Sequence, residues 1–398
     1  MRPLLSILIP TRNRSHYLKY AVESALAISD ADIEVIASNN MSDDDTLQVL
    51  KNFSDQRLRF FSTESVIPMH SNFELLLKEA RGDWIYFLGD DDAMMPYAAD
   101  HIRRLSEKYP ACEAVVSARA LYFWKGCMES NPPFVLSVGL SAEEEWVDSK
   151  KLLSNLLNAT QHYFVAPQHY SGGVHRRSLI NRVLRSQNGV FYKSVTPDAY
   201  SAVMGCLHTS RFLRTGLPLA WIGTSDTKQS KTKKDRNNDF YGLISDEQLG
   251  IHMAVGSLKP FTLPLVFYEA YLSAIPTASA SELNHRRITL MAADAVHTFL
   301  KNGLVAELNT LLSYFDVTPS EMAVARMRLK LLKRFDFLQY KIKRLPNRLR
   351  RLNKQHILNW RPSLLSKSYE DFSHINVANN WAMERYHEYR ELPTRKLI

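Results

Sequence analysis

Residues 72–92 read NFELLLKEARGDWIYFLGDDD. Phe73, Leu76, Leu77 and Ala80 recur at helical spacing, and Gly82-Asp83 then break the pattern before the unbroken apolar run Trp84-Ile85-Tyr86-Phe87-Leu88. A run apolar at every position is a strand covered on both faces, as the strands of a parallel sheet are. It ends in three successive carboxylates, Asp90-Asp91-Asp92, an arrangement that is unfavourable unless a cation or water screens it. Helix, buried strand and acid cluster in that order predict a doubly wound α/β sheet, with its chemistry at the carboxyl ends of the strands.

The surrounding sequence fits that frame. Leu4–Ile9, Ile33–Ala37, Leu58–Phe61 and Ala114–Leu121 read as further strands, and Tyr17, Leu18, Ala21, Val22, Ala25 and Leu26 mark a helix after the first. A helix over Ala93–Leu105 is expected after the acids. Residues 126–170 read as an insertion over the site, with a loop at Glu143-Glu144-Glu145 and a helix near Asp148–Leu157. Arg176–Leu184 and Asp198–Leu207 read as helices and Leu217–Ile222 as a strand, which closes a first domain at about residue 225. The polar stretch 226–243 is a candidate lid, and residues 244–398, punctuated by prolines, read as a helical C-terminal region.

Composition bounds the class. The chain has 398 residues, 45% hydrophobic and 23% charged, close to the soluble globular average, which excludes collagen-like, low-complexity and multi-span membrane proteins. Cys112, Cys127 and Cys206 are too few and too scattered for a disulfide framework or a zinc site. With no secretion signal or spanning segment legible, a cytoplasmic protein is expected, with a peripheral place on the inner membrane face as the variant. The net charge is +9, yet residues 326–354 alone hold twelve Lys/Arg against one acid, Asp336. There Leu329, Leu332, Phe335, Leu338, Ile342 and Leu345 form an apolar stripe, a pattern that suits either anionic lipid or packing against the rest of the chain.

Gly82 is the first glycine, so neither a dinucleotide-binding glycine loop nor a phosphate-cradling P-loop follows the first strand. That strand runs instead into Pro10-Thr11-Arg12-Asn13-Arg14, and the second strand leads into Asn39, Asn40 and Asp43-Asp44-Asp45, groups able to bond a base and ribose. Mg²⁺ or Mn²⁺ takes one or two carboxylates and shares its other positions with phosphates, which suits Asp90–Asp92; capping of the next helix is the competing reading.

SILIPTRNRSHYL (6–18), EVIASNNMSDDDT (34–46), residues 72–92 and TPDAY (196–200), in this order, resemble a family 2 glycosyltransferase of the GT-A fold over residues 1–225. The resemblance implies a Rossmann-like, mostly parallel sheet flanked by helices. It also implies an inverting transferase that moves a sugar from a UDP-, GDP- or dTDP-sugar to an acceptor hydroxyl with Mn²⁺ or Mg²⁺. Pro10, Thr11, Arg12, Asn13, Asn39, Asn40, Asn72 and Asp90 would then line the nucleotide site, and Asp91 with Asp92 would hold the metal. Asp198 would be the general base, although Pro-Asp is also ordinary helix-start chemistry.

Two departures stand out. Asn39 falls where relatives carry an aspartate, which leaves the base open, and Gly89 falls on the first aspartate of the commoner D-x-D register. Lys228, Lys231, Lys233, Lys234 and Arg236 could close over the pyrophosphate, and His162, His169, His175 and His252 are weak candidates for acceptor or metal contacts. The acceptor expected is a glycan or a lipid-linked sugar of bacterial surface-polysaccharide or glycolipid assembly, with anionic lipid as a candidate partner of 326–354. Nucleic acid is not expected as a partner, and an oligomer is left open. A degenerate scaffold, or a protein binding lipid or nucleic acid, is the alternative function; a nucleotidyltransferase is disfavoured for want of a glycine-rich loop.

Overall fold

The computed structural model describes residues 2–124 except 31, then 135–140, 143–157, 161–225 and 363–368, with short stretches within 269–274, 306–327 and 375–376. β1 (Leu5–Thr11), α1 (Ser15–Leu26), β2 (Ile33–Asn39), α2 (Thr46–Lys51), β3 (Leu58–Ser62), α3 (Met69–Glu79) and β4 (Trp84–Phe87) alternate as the sequence predicts. Next come β5 (Ala93–Met94), α4 (Ala98–Lys108), β6 (Ala114–Ser117), β7 (Ala120–Phe123), β8 (Val135–Leu140), β9 (Glu144–Asp148) and α5 (Ser149–Leu157). β10 (Gly173–Arg176), α6 (Arg177–Ser186), α7 (Pro197–His208), β11 (Arg211–Thr215), β12 (Ala220–Thr224) and β13 (Ser363–Ser368) complete the described elements.

The main sheet has eight strands in the order β3-β2-β1-β4-β10-β6-β11-β9. β1, β2, β3 and β4 are parallel, as are β6 and β11, while β10 and β9 run antiparallel to their neighbours. Side chains alternate across a strand. Ile7, Ile9, Val35, Trp84 and Tyr86 therefore meet Leu18, Ala21, Val22 and Ala25 of α1 on one face. Leu8, Ile36, Ile85 and Phe87 meet Phe73, Leu76 and Leu77 of α3 and Ala199, Ala202 and Val203 of α7 on the other. Burial of each large apolar side chain contributes about 1.5–3 kcal/mol. The unbroken apolar run of β4 is thus explained by two cores, one on each face.

Four local expectations are corrected. The stretch Ala93–Leu105 is not one helix: β5 comes first, and α4 starts at Ala98 after Pro96-Tyr97. Ala114–Leu121 splits into β6 and β7, which lie in different sheets, because the backbone N–H groups of Ser117 and Ala118 are taken by the carbonyls of Gly172 and Thr215 and the chain then crosses over. Glu144 opens an edge strand rather than a loop; its carboxylate accepts from Arg104, Lys108 and Tyr109 of α4 and its C-terminus. The C-terminal region is not wholly helical, since β13 pairs antiparallel with β8 in a second, five-stranded sheet of order β13-β8-β7-β12-β5. The polar stretch 226–243 and all but the first two residues of 326–354 lie outside the described residues, as do Cys127 and His252.

His169 and His175 belong to the core rather than to a metal or acceptor site. Both are fully buried with ring centroids 4.1 Å apart. The Nδ1 of His169 bonds the Tyr192 hydroxyl at 2.5 Å, and the Nε2 of His175 bonds the Pro167 carbonyl at 2.8 Å. Burial depresses both pKa values, that of His175 to about 4. The folded protein therefore keeps His175 neutral where the unfolded chain would protonate it. Its contribution is complete above pH 6.5 and is lost as the pH falls from 6.5 towards 4, a change of about 3 kcal/mol. Urea denaturation across that window is expected to show the loss, with a shallower pH slope in His175→Gln; identical slopes would refute this account.

Candidate active site

The carboxyl ends of β1, β2 and β4 meet at one edge of the main sheet. Thr11, the last residue of β1, donates its hydroxyl to Asp90 Oδ2 at 2.8 Å. Three residues on, the Arg14 guanidinium bridges the acids, with Nε 2.7 Å from Asp90 Oδ1 and Nη2 2.7 Å from Asp91 Oδ2. It also donates to Ser225 Oγ, which in turn donates to Asp91 Oδ2, each at 2.5 Å. Burial and Asp91 push the Asp90 carboxyl up to about 6 against the pull of Arg14. Arg14 is held above its ordinary value by Asp90 and Asp91, which overcome the opposing effect of burial.

Asp92 is placed differently. It is fully buried, and its carboxylate accepts from the N–H of Gly89 at 3.1 Å and of Gly223 at 2.7 Å. Each oxygen accepts one backbone N–H and keeps a further lone pair, so Asp92 ties the acid loop to the end of β12 while still able to offer an oxygen to a cation. Trp124 Nε1 adds a bond to the Asp91 carbonyl at 2.8 Å. None of the three aspartates caps α4, which begins six residues after Asp92. A Cβ on Gly223 would lie 1.8 Å from the Asp91 carbonyl oxygen, so Gly223→Ala must push the acid loop off β12. That substitution is expected to cost about 1–3 kcal/mol and to weaken divalent-cation binding; an unchanged melting midpoint would contradict it.

Asp90 and Asp91 converge on one cationic group, so their donor chemistry fits a divalent ion, which needs only one or two carboxylates when phosphates and water fill its other positions. Among the described residues no three His, Cys, Asp or Glu side chains form a metal-holding group.

The turns after β1 and β2 are cross-braced. Asn13 has φ 55°, which asparagine tolerates; its N–H donates to Ser42 Oγ, and its side chain accepts from the N–H of Asp43 at 2.7 Å. Asn39 donates to Ser62 Oγ at 3.0 Å and accepts from the N–H of Ser42 at 3.1 Å. Asn40 pairs with both backbone groups of Ile67, at 2.8 and 2.9 Å. Asn39 and Asn40 therefore fix the turn after β2 with their side chains. Asn72 is not an N-cap: α3 begins at Met69, and the buried Asn72 accepts from Ser38 at 2.5 Å beneath β2. Pro10 is half-buried at the end of β1, paired with Ser38. The half-buried Arg12 has its Nε without a hydrogen-bond partner among the described residues.

Asp198 stands in the first turn of α7 behind Pro197. Its Oδ2 accepts from the Tyr163 hydroxyl at 2.6 Å and its Oδ1 from the N–H of Ala199 at 2.8 Å. Burial raises its pKa, and the bond from Tyr163 lowers it only in part. The residue keeps some exposed surface and so remains reachable. Arg119, in the crossover from β6 to β7, stacks on Phe164 at 4.1 Å from the ring centroid, within electrostatic reach of Asp92, Tyr163 and Tyr170. His162, by contrast, is exposed, and its Nδ1 accepts from the N–H of Phe164.

Arg14, Tyr163, Ser225 and Arg119 were not singled out from the sequence. Arg14 lies inside the post-strand motif, but nothing in its spacing tells a solvent-facing arginine from one turned onto Asp90. The other three come from distant segments.

An α/β protein with a mostly parallel sheet, acids at the end of β4 and polar turns after β1 and β2 is one that holds its ligand at the strand ends. Residues 6–127, about a third of the chain, match the model of Glycosyl transferase family 2. Among curated proteins, the GalNAc(5)-diNAcBac-PP-undecaprenol beta-1,3-glucosyltransferase of Campylobacter jejuni is 33% identical over 96 residues, 23% of this chain and 31% of that protein. An uncharacterized glycosyltransferase of Rickettsia typhi is 27% identical over 132 residues, 31% of this chain and 41% of that protein. Chondroitin synthase of Escherichia coli is 39% identical over 101 residues, 25% and 14% of the two chains. The chain thus spans about a third of the length of the first two. Of solved structures, S. aureus TarS 1–349 in complex with UDP-GlcNAc superposes with a TM-score of 0.46 at 13% identity, covering 79% of this chain and 92% of that one. Among the described residues no helix is long and apolar enough to cross a membrane.

Proposed function

We propose that this protein is an inverting glycosyltransferase that moves a sugar from a nucleoside-diphosphate donor to an acceptor hydroxyl. The observation that carries the reading is the presence of two acid sites: Asp90 and Asp91 converging on the Arg14 guanidinium at the end of β4, and the buried Asp198 held by the Tyr163 hydroxyl at the start of α7. The turns after β1 and β2, with Thr11, Arg12, Asn13 and Asn39, form the nucleotide side. A divalent ion held by Asp90 and Asp91, when bound, supplies Lewis-acid stabilisation of the leaving diphosphate.

The chain's own residues do the rest. Asp198 Oδ2 or Oδ1 accepts the acceptor's hydroxyl proton as that oxygen attacks the anomeric carbon from the face opposite the diphosphate. Tyr163 orients the carboxylate by its hydrogen bond. Arg14, once exchanged from Asp90 and Asp91, offers its guanidinium to phosphate oxygens, for which its forked donors are suited.

The glucosyltransferase relative bears in its name an undecaprenol-diphosphate-linked acceptor. A lipid-linked acceptor of this kind accords with the basic, apolar-striped 326–354 and with a place at the inner membrane face. The test is a thermal-shift panel of UDP, GDP, CDP, dTDP and CMP with and without Mn²⁺, since a ligand of the folded state raises its stability. A Mn²⁺-dependent rise with one diphosphate, lost in Asp91→Ala, supports the reading. No response to any of the five favours a scaffold that binds no donor.

A further inference from the structure

Tyr170 reaches Gly89 at the head of the acid run and is not among the residues given a role above. Its φ is 85°, and Ser171 (φ 52°) and Gly172 (φ 101°) continue the left-handed run. A bulky residue in this region is a genuine outlier, costing about 1–3 kcal/mol, and it persists only where its surroundings impose it.

The surroundings do impose it. Gly173 sits so close to Gln168 that a Cβ there would lie 1.8 Å from the Gln168 carbonyl oxygen, which fixes the tight return of the loop. The N–H of His169 donates to Ser201 Oγ at 2.8 Å, and Ser201 Oγ donates to the Asp198 carbonyl at 3.0 Å. The loop is thereby fastened to the turn that carries Asp198. At its other end the Tyr170 ring reaches the acid loop: a Cβ on Gly89 would lie 2.8 Å from Tyr170 Cε2, 2.8 Å from its hydroxyl oxygen and 2.8 Å from Asp92 Oδ2. The phenol fills space left by the glycine that stands at the head of the acid run.

The side chain is only partly exposed, and its hydroxyl has no hydrogen-bond partner among the described residues. Asp90, Asp91, Asp92 and Asp198 all act on it electrostatically. At neutral pH a phenol is protonated and can donate. Its hydroxyl is therefore a donor that no acceptor among the described residues takes up, open to an oxygen of a bound ligand.

We propose that Tyr170 contacts the transferred sugar, donating its phenolic hydrogen to an oxygen of that sugar, and is a residue that sets which sugar the site accepts. This rests on the proposed function, because the sugar of such a donor lies between the cation at Asp90 and Asp91 and the base Asp198. A strained backbone that holds an unpartnered donor beside the acid run gives a discriminating contact, since such a donor stays unpaired when the matching sugar oxygen is missing.

Tyr170→Phe keeps the ring against Gly89 and removes only the hydroxyl. Calorimetric titration of the full chain with Mn²⁺ would compare a nucleoside diphosphate with the nucleotide sugars built on it, epimers included. The variant is expected to keep the wild-type melting midpoint and to bind the diphosphate within twofold. Its affinity for the preferred nucleotide sugar is expected to fall about tenfold, and its preference among epimers to flatten. Equal weakening of diphosphate and nucleotide sugar, or no weakening of either, would overturn the proposal while leaving the transferase reading intact. A wild-type chain that binds no nucleoside diphosphate at all would remove that reading and the proposal together.

Discussion

Asp198→Asn is expected to lower the transfer rate by about 10²–10⁴-fold, the range for loss of a positioned general base, and to leave nucleoside-diphosphate affinity within twofold. The amide is nearly isosteric with the carboxylate and can still accept from the Tyr163 hydroxyl and the N–H of Ala199, so the first turn of α7 should stay in place. What it cannot do is take a proton from an attacking hydroxyl. The pH dependence is a second reading of the same group. Because burial raises the Asp198 pKa, the acidic limb of kcat/KM should lie above the ordinary carboxylate value of about 4. The rate should rise with pH through that limb as the carboxylate loses its proton. Tyr163→Phe removes the hydrogen bond that pulls the value down, so its limb should move to higher pH. A profile unchanged in Tyr163→Phe, or an Asp198→Asn variant with near wild-type turnover, would place the base elsewhere.

Arg14→Met is the second large effect. Arg14 offsets the charge of Asp90 and Asp91 at two contacts of 2.7 Å, with all three side chains mostly shielded from water. Removing one partner of such a group leaves charge without compensation, a loss of about 3 kcal/mol when the pair is buried. The variant should melt well below the wild type in chelator. Mn²⁺, free to take the vacated place, should then raise its midpoint more than it raises that of the wild type. The opposite order, with Mn²⁺ stabilising only the wild type, would mean that Arg14 shapes a metal site rather than competing for it. Loss of diphosphate affinity in Arg14→Met even at saturating Mn²⁺ would support its role on the phosphates.

The first four strands, their helices and the acid-bearing strand end were legible because each depends on local pattern. An apolar run of five with carboxylates behind it has few structural solutions, and helical spacing in α1 and α3 names the buried face directly. β10 was not legible in the same way. It is a short antiparallel strand wedged between β4 and β6, and its signal, Gly172-Gly173, marks a turn without saying which strands the chain will join. Asp92 shows the same limit. In sequence it is one of three equivalent aspartates; only the arrival of Gly223 from β12, 131 residues away, turns it into a backbone anchor.

The sequence by itself determined the parallel core, the resemblance to a glycosyltransferase family and the run of acids at the end of β4, because strand periodicity, strand-end chemistry and ordered motifs are properties of contiguous residues. Only the tertiary structure decided what each acid touches. Arg14 against Asp90 and Asp91, Tyr163 against Asp198 and Tyr170 over Gly89 join segments tens of residues apart, and the contacts that decide their roles form only when the sheet has closed.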